Sequence, residues 1–141
     1  MKKKCILSAV FLISLLPMLL NQYGGLKGVQ EITGLINLFN PIGIISVMLY
    51  FVGVWVPMKK HGMGTLLGAF GVIGIVISEI YKFVTWHVMT ITGEISFQNS
   101  IEFAFPEFYF GLAVSLFMVV LYFVIDKKYN ESPKLIGGIV S

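Results

Sequence analysis

Four long apolar stretches alternate with polar segments along this chain, at about 5–21, 41–57, 63–84 and 107–125. Each is close to the length a helix needs to cross a bilayer, about 20 residues. The third is the most distinctive. From Gly62 to Lys82 it reads GMGTLLGAFGVIGIVISEIYK, and on a helix turning about 100° per residue its small residues Gly64, Gly68, Gly71 and Ser78 form one stripe. Leu66, Phe70, Ile73, Ile77 and Ile80 fall on the opposite side. Glycines cost about 1 kcal/mol each in a water-exposed helix, whereas in a bilayer they let a neighbouring helix approach closely. The second stretch has a comparable face in Gly43, Ser46, Tyr50 and Gly53, and the fourth in Gly111 and Ser115. Asn40-Pro41 and Pro106-Glu107 are natural helix starts, because Asn caps and Pro suits the first helical position.

The fold expected from this pattern is an all-α membrane protein: one domain over residues 1–141, built as a four-transmembrane-helix bundle with two outer segments, about 22–40 and 85–106. A turn at 58–62 and a tail at 126–141 occupy the other side. In the first outer segment Leu26, Val29, Ile32, Ile36 and Phe39 recur at three and four, which fits either a short interfacial helix or an anchored loop. In the second, two β-prone pieces flank Gly93-Glu94, which fits a short β-hairpin at about 88–99.

Composition agrees with a membrane setting: 57% of residues are hydrophobic and 12% charged, far from the balance of a water-soluble domain. All ten basic residues are lysine, so there is no guanidinium clamp for phosphate or carboxylate. The lysines sit at the borders of apolar stretches, and nucleic-acid binding is not expected. Eight lysines against two carboxylates fall on the side of the termini and the 58–62 turn, and two lysines against five carboxylates on the side of the outer segments. The lysine bias therefore predicts cytoplasmic N- and C-termini and a multi-pass protein of the cell membrane. Cys5 is the single cysteine, which excludes an internal disulfide and any CxxC metal or redox site.

Charges within or just beyond an apolar span point to function by default. Glu79 and Lys82 meet that description and lie three apart, close enough to pair on a helix. With His87, Glu102 and Glu107 they form the candidate outer-rim interaction or ion site. His87 adjoins Trp86, which reads as an interfacial anchor, and His61 falls on the opposite side, so the two histidines cannot share a metal. No metal-binding spacing, phosphate loop or nucleophile–base pattern is present, and neither an enzyme nor a cofactor is expected.

The plan of four short spans and two outer segments resembles that of tetraspan, claudin-like proteins. Of that family's first-loop Gly-Leu-Trp motif Gly34-Leu35 matches the first two residues but no Trp follows, and the cysteine pair is missing. Small bacteriocin- and toxin-immunity membrane proteins are similar in size, lysine bias and span count. The expectation is a non-enzymatic protein of the lipid bilayer that contacts a membrane or secreted protein through its outer loops, as an immunity protein or accessory subunit does. A small oligomeric transporter or channel for an ion or small cation, using Glu79, Lys82 and Glu107, is the alternative, and a homo-oligomer through the glycine stripe stays open.

Overall fold

The computed structural model describes residues 1–24, 30–60 and 62–137, and the side chains among these except at 89, 90 and 132–137. Leu26, Lys27, Val29 and His61 lie outside the described residues. The described chain is mainly helical, with α1 at Lys2–Ser14, α2 at Pro41–Trp55, α3 at Met63–Thr85, α4 at Phe97–Glu102 and α5 at Pro106–Gly137. Two short strands, β1 at Asn21–Tyr23 and β2 at Ile32–Thr33, pair antiparallel between α1 and α2.

The expected four-span bundle is corrected to two candidate spans. Among the described residues, only α3 and the Pro106–Glu131 part of α5 are long and apolar enough to cross a membrane, with mean hydropathies of 1.9 and 2.4. The 13 residues of α1 and the 15 of α2 reach about 20 Å at 1.5 Å per residue, short of a hydrocarbon core of about 30 Å. Proline sets these limits. Pro17 lies in a 3-10 turn, Leu16–Leu19, that ends the first apolar run early. At the far end of α2, Val56 is extended, with ψ 124°, immediately before Pro57, as the ring of a following proline demands.

The short helices pack against the long ones. The contact between α2 and α3 is a meeting of backbones: a Cβ on Gly64 would lie 2.7 Å from the carbonyl oxygen of Gly53, and one on Gly71 2.6 Å from the amide nitrogen of Tyr50. A Cβ on Gly53 would strike the backbone of Gly68. Such an approach maximises dispersion contact without requiring an exclusion of water. Gly68 also leaves room for the Tyr122 hydroxyl from α5, which donates to the carbonyl of Thr65 at 3.0 Å. In the core between the helices Phe11 stacks on Tyr50 with centroids 3.9 Å apart, and Leu7, Val72, Ile75 and Met118 surround them. Outside, Leu66, Phe70, Ile77 and Ile80 on α3 and Phe110, Phe117, Val120 and Val124 on α5 are exposed, an apolar surface far beyond scattered single residues.

The two outer segments join into one cap. Gly24 donates to the carbonyl of Phe103 at 2.9 Å, and Phe105 donates to that of Gln22 at 2.8 Å, so the chain ahead of α5 lies alongside β1. Tyr23, Trp86, Phe103 and Phe108 form a second core there. The hairpin expected at 88–99 is absent and is replaced by a π-helical turn at Val88–Thr92 followed by α4. Gly93 has φ 71°, yet it ends that turn where a hairpin would place it between strands. Strands form in the first outer segment instead, where β1 pairs with β2 and also bridges to Ala104 of the second.

Candidate functional site

The polar centre of the molecule lies where the cap meets the helices. Asn40 caps α2, its Oδ1 accepting from the amides of Ile42 and Gly43 at 3.0 and 3.1 Å. Its Nδ2 donates to the carbonyl of Asn37 and to Ser78 Oγ, both at 2.7 Å, and Ser78 Oγ donates to the same Asn37 carbonyl. The Asn37 side chain continues the network. Its Nδ2 donates to Gln22 Oε1 at 2.8 Å, its Oδ1 accepts from the Tyr23 hydroxyl at 2.9 Å, and Gln22 Nε2 donates to the carbonyl of Pro17 at 3.1 Å. Gly34 and Gly111 flank Gln22, and a Cβ at either would collide with it. All of Gln22, Asn37, Asn40 and Ser78 are buried, so the network fixes the cap on the helix ends by satisfying groups that are costly to leave unpaired.

Glu79 lies beside this network, fully buried. Its Oε1 accepts from Ser115 Oγ on α5 at 3.0 Å, while Oε2 has no hydrogen-bond partner. Among the described residues it forms no ion pair with Lys82. Lys82 instead holds its ammonium 5.8 Å from the ring centroid of Tyr81, and Glu102 and Glu107 are exposed on the cap. Among the described residues no ion pair joins any two of the five candidate outer-rim residues. Burial holds the Tyr23 hydroxyl well above the usual phenol range; it stays a neutral donor to Asn37.

His87 is also fully buried. Its Nδ1 is 2.9 Å from Thr92 Oγ1 and its Nε2 2.8 Å from Ser100 Oγ. Burial pushes its pKa below the ordinary imidazole value. Ser100 donates its own proton to the carbonyl of Ser96 at 2.9 Å and Thr92 donates its proton to the carbonyl of Glu94 at 3.0 Å, so both hydroxyl oxygens are open to a ring N–H and the neutral ring donates to one of them. This pairing has the spacing of a nucleophile and base, but Ser100 is 0% exposed and its proton is directed away from the ring. The geometry is that of a structural pin holding α4 to the end of α3. Among the described residues no three His, Cys, Asp or Glu side chains cluster to hold a metal.

The small residues divide in use. Gly53, Gly64, Gly68 and Gly71 serve helix approach, whereas Gly43 faces the carbonyls of Asn37 and Leu38, Gly111 accommodates Gln22, and Ser78 and Ser115 make polar contacts. Glu31, which no sequence pattern marks, accepts from Asn21 Nδ2 at 2.6 Å. Together with Glu107, Leu20 and Phe105 it lines an open cavity of about 430 Å³ on the cap. Gln22, Asn37 and Ser100 were equally invisible, since each gains its role from a partner more than ten residues away in sequence. No protein family, curated protein or solved structure matches the chain.

Proposed function

We propose that this chain is a non-enzymatic integral membrane protein, anchored by α3 and α5, that works by protein–protein contact through its cap. In this reading the lysine-rich end and both termini face the cytoplasm, and the cap faces outward. The carrying observation is that the described parts of both outer segments fold into a single body that offers both carboxylates and apolar side chains: Glu31 and Glu107 line one cavity, and Ile95, Phe97 and Ile101 are each at least 60% exposed. Such a surface suits a membrane or secreted partner that presents lysine or arginine among apolar side chains. An immunity protein or accessory subunit acts in this way.

Photocrosslinking in cells from position 97, with position 117 on the outward face of α5 as the reference, tests the proposal. A protein adduct at 97, lost in the Glu31→Gln/Glu107→Gln variant, is the expected result. Adducts to lipid alone, or a protein adduct indifferent to both carboxylates, would sink it.

One observation favours a second reading, an ion transporter: the unpartnered Oε2 of buried Glu79. Ion flux in reconstituted vesicles that vanishes in Glu79→Gln would support it, and an absence of flux would remove it.

A further inference from the structure

The end of the molecule opposite the cap holds a cavity of about 250 Å³ between the start of α1, the turn after α2, the first turn of α3 and α5. Lys3, Lys4, Lys60, Gly64, Thr65 and Asp126 are among its walls. Asp126 is already saturated. Lys3 Nζ donates to it at 2.6 Å, Thr65 Oγ1 lies 3.1 and 3.2 Å from its two oxygens, and Asn130 Nδ2 donates at 2.9 Å. That leaves two ammonium groups without a carboxylate. Lys4 spends one N–H on the carbonyl of Trp55 at 3.1 Å, and Lys60 is exposed; neither forms an ion pair among the described residues. The adjoining first turn of α3 contains no acidic residue, and although the Met63 amide donates to the carbonyl of Lys60 at 3.2 Å, its cap, Gly62, has no side chain to occupy the amides that follow, so the helix end adds to the positive field.

From this charge and size we infer that the cavity is a binding site for an anionic phosphate group. Typical small-molecule sites occupy about 300–1,000 Å³; this one is smaller and suits a phosphate with a few attached atoms, not a nucleotide. It lies at the same end as the start of α3 and beside Tyr122 of α5, which is headgroup level for two helices that cross a bilayer. Trp55, whose indole Nε1 donates to Ser8 Oγ at 2.9 Å, is 47% exposed there, as interfacial tryptophans are. The phosphate of an anionic lipid and free inorganic phosphate share the chemistry the lysines recognise.

The full chain in detergent, titrated with phosphatidylglycerol or with phosphatidylcholine and observed by native mass spectrometry, tests this site. Selective retention of phosphatidylglycerol is expected, weakened about fivefold by each of Lys4→Gln and Lys60→Gln, the effect of one lysine near an anionic surface. Lys59→Gln removes the same charge from a residue that does not line the cavity and should leave retention unchanged. Displacement of the lipid by inorganic phosphate would identify the free anion as a ligand, and retention in its presence the headgroup. Equal weakening by Lys59→Gln and Lys60→Gln would overturn the site in favour of diffuse attraction, as would equal retention of the two lipids together with no binding of phosphate. Because Lys60 is exposed, its variant keeps the fold, which an unchanged melting temperature without lipid verifies.

Discussion

Ser115 on α5 donates a hydrogen bond to Glu79 on α3 at 3.0 Å, and it is the hydrogen bond that the buried carboxyl receives. Removing the donor leaves a buried acceptor unsatisfied at about 1–3 kcal/mol, so Ser115→Ala should lower stability by that amount in thermal unfolding of the detergent-solubilised protein. An apolar replacement of the acid removes the demand itself. Glu79→Met should therefore be close to neutral, and Ser115→Ala should cost less in that background. Equal costs of Ser115→Ala in both backgrounds would show that the two side chains do not depend on each other.

Glu79 and Lys82, by contrast, make no ion pair with each other. The effects of Glu79→Gln and Lys82→Met should add to within about 0.5 kcal/mol, as they do for sites without shared partners. A larger coupling in the double-mutant cycle would restore the pair that their spacing suggests.

That contrast marks what the sequence could convey. Spacing on one helix places Gly64, Gly68 and Gly71 on a stripe opposite Leu66 and Phe70, and the packed and exposed faces of α3 divide along it. Asn40-Pro41 likewise starts a helix where capping chemistry places one. Spacing does not tell how deep a charge sits, and the lysine at position 82 turned to Tyr81 while the acid turned inward to another helix. Nor does hydropathy distinguish an apolar run that spans from one broken by Pro17 into a 13-residue helix and a 3-10 turn. The cap was least legible, because Gln22, Tyr23 and Asn37 acquire their roles only when β1 is placed between β2 and the chain at Ala104.

The glycines between α2 and α3 should differ in tolerance. At Gly53 and Gly71 an added Cβ meets main-chain atoms of the facing helix, which cannot rotate away, and Ala there should destabilise by about 1–3 kcal/mol as overpacking does. At Gly74 the obstruction is the Ser46 hydroxyl, which can change rotamer. Gly74→Ala should accordingly be milder, and milder still in a Ser46→Ala background. Thermal melts of the four variants check the order; a Gly53→Ala variant as stable as the parent would show that the helices are not in backbone contact.

His87 gives the cap a pH dependence of defined sign. Its contacts are the hydroxyls of Thr92 and Ser100 and the rings of Trp86 and Phe103, none of which compensates a positive charge. Burial thus lowers its pKa in the folded state below the ordinary value of 6.5. Above that value the ring is neutral whether the cap is folded or not, and its contribution is fully present. As pH falls below 6.5 the unfolded ring takes up a proton that the folded one refuses, so cap stability is progressively lost until the folded pKa is passed. Trp86 reports this directly, lying 6.0 Å from the His87 ring between centroids, once Trp55 is replaced by Phe. Its emission should show denaturant resistance falling with acidity over that window, and His87→Gln should flatten the profile. An unchanged profile in His87→Gln would assign the acid sensitivity to another group.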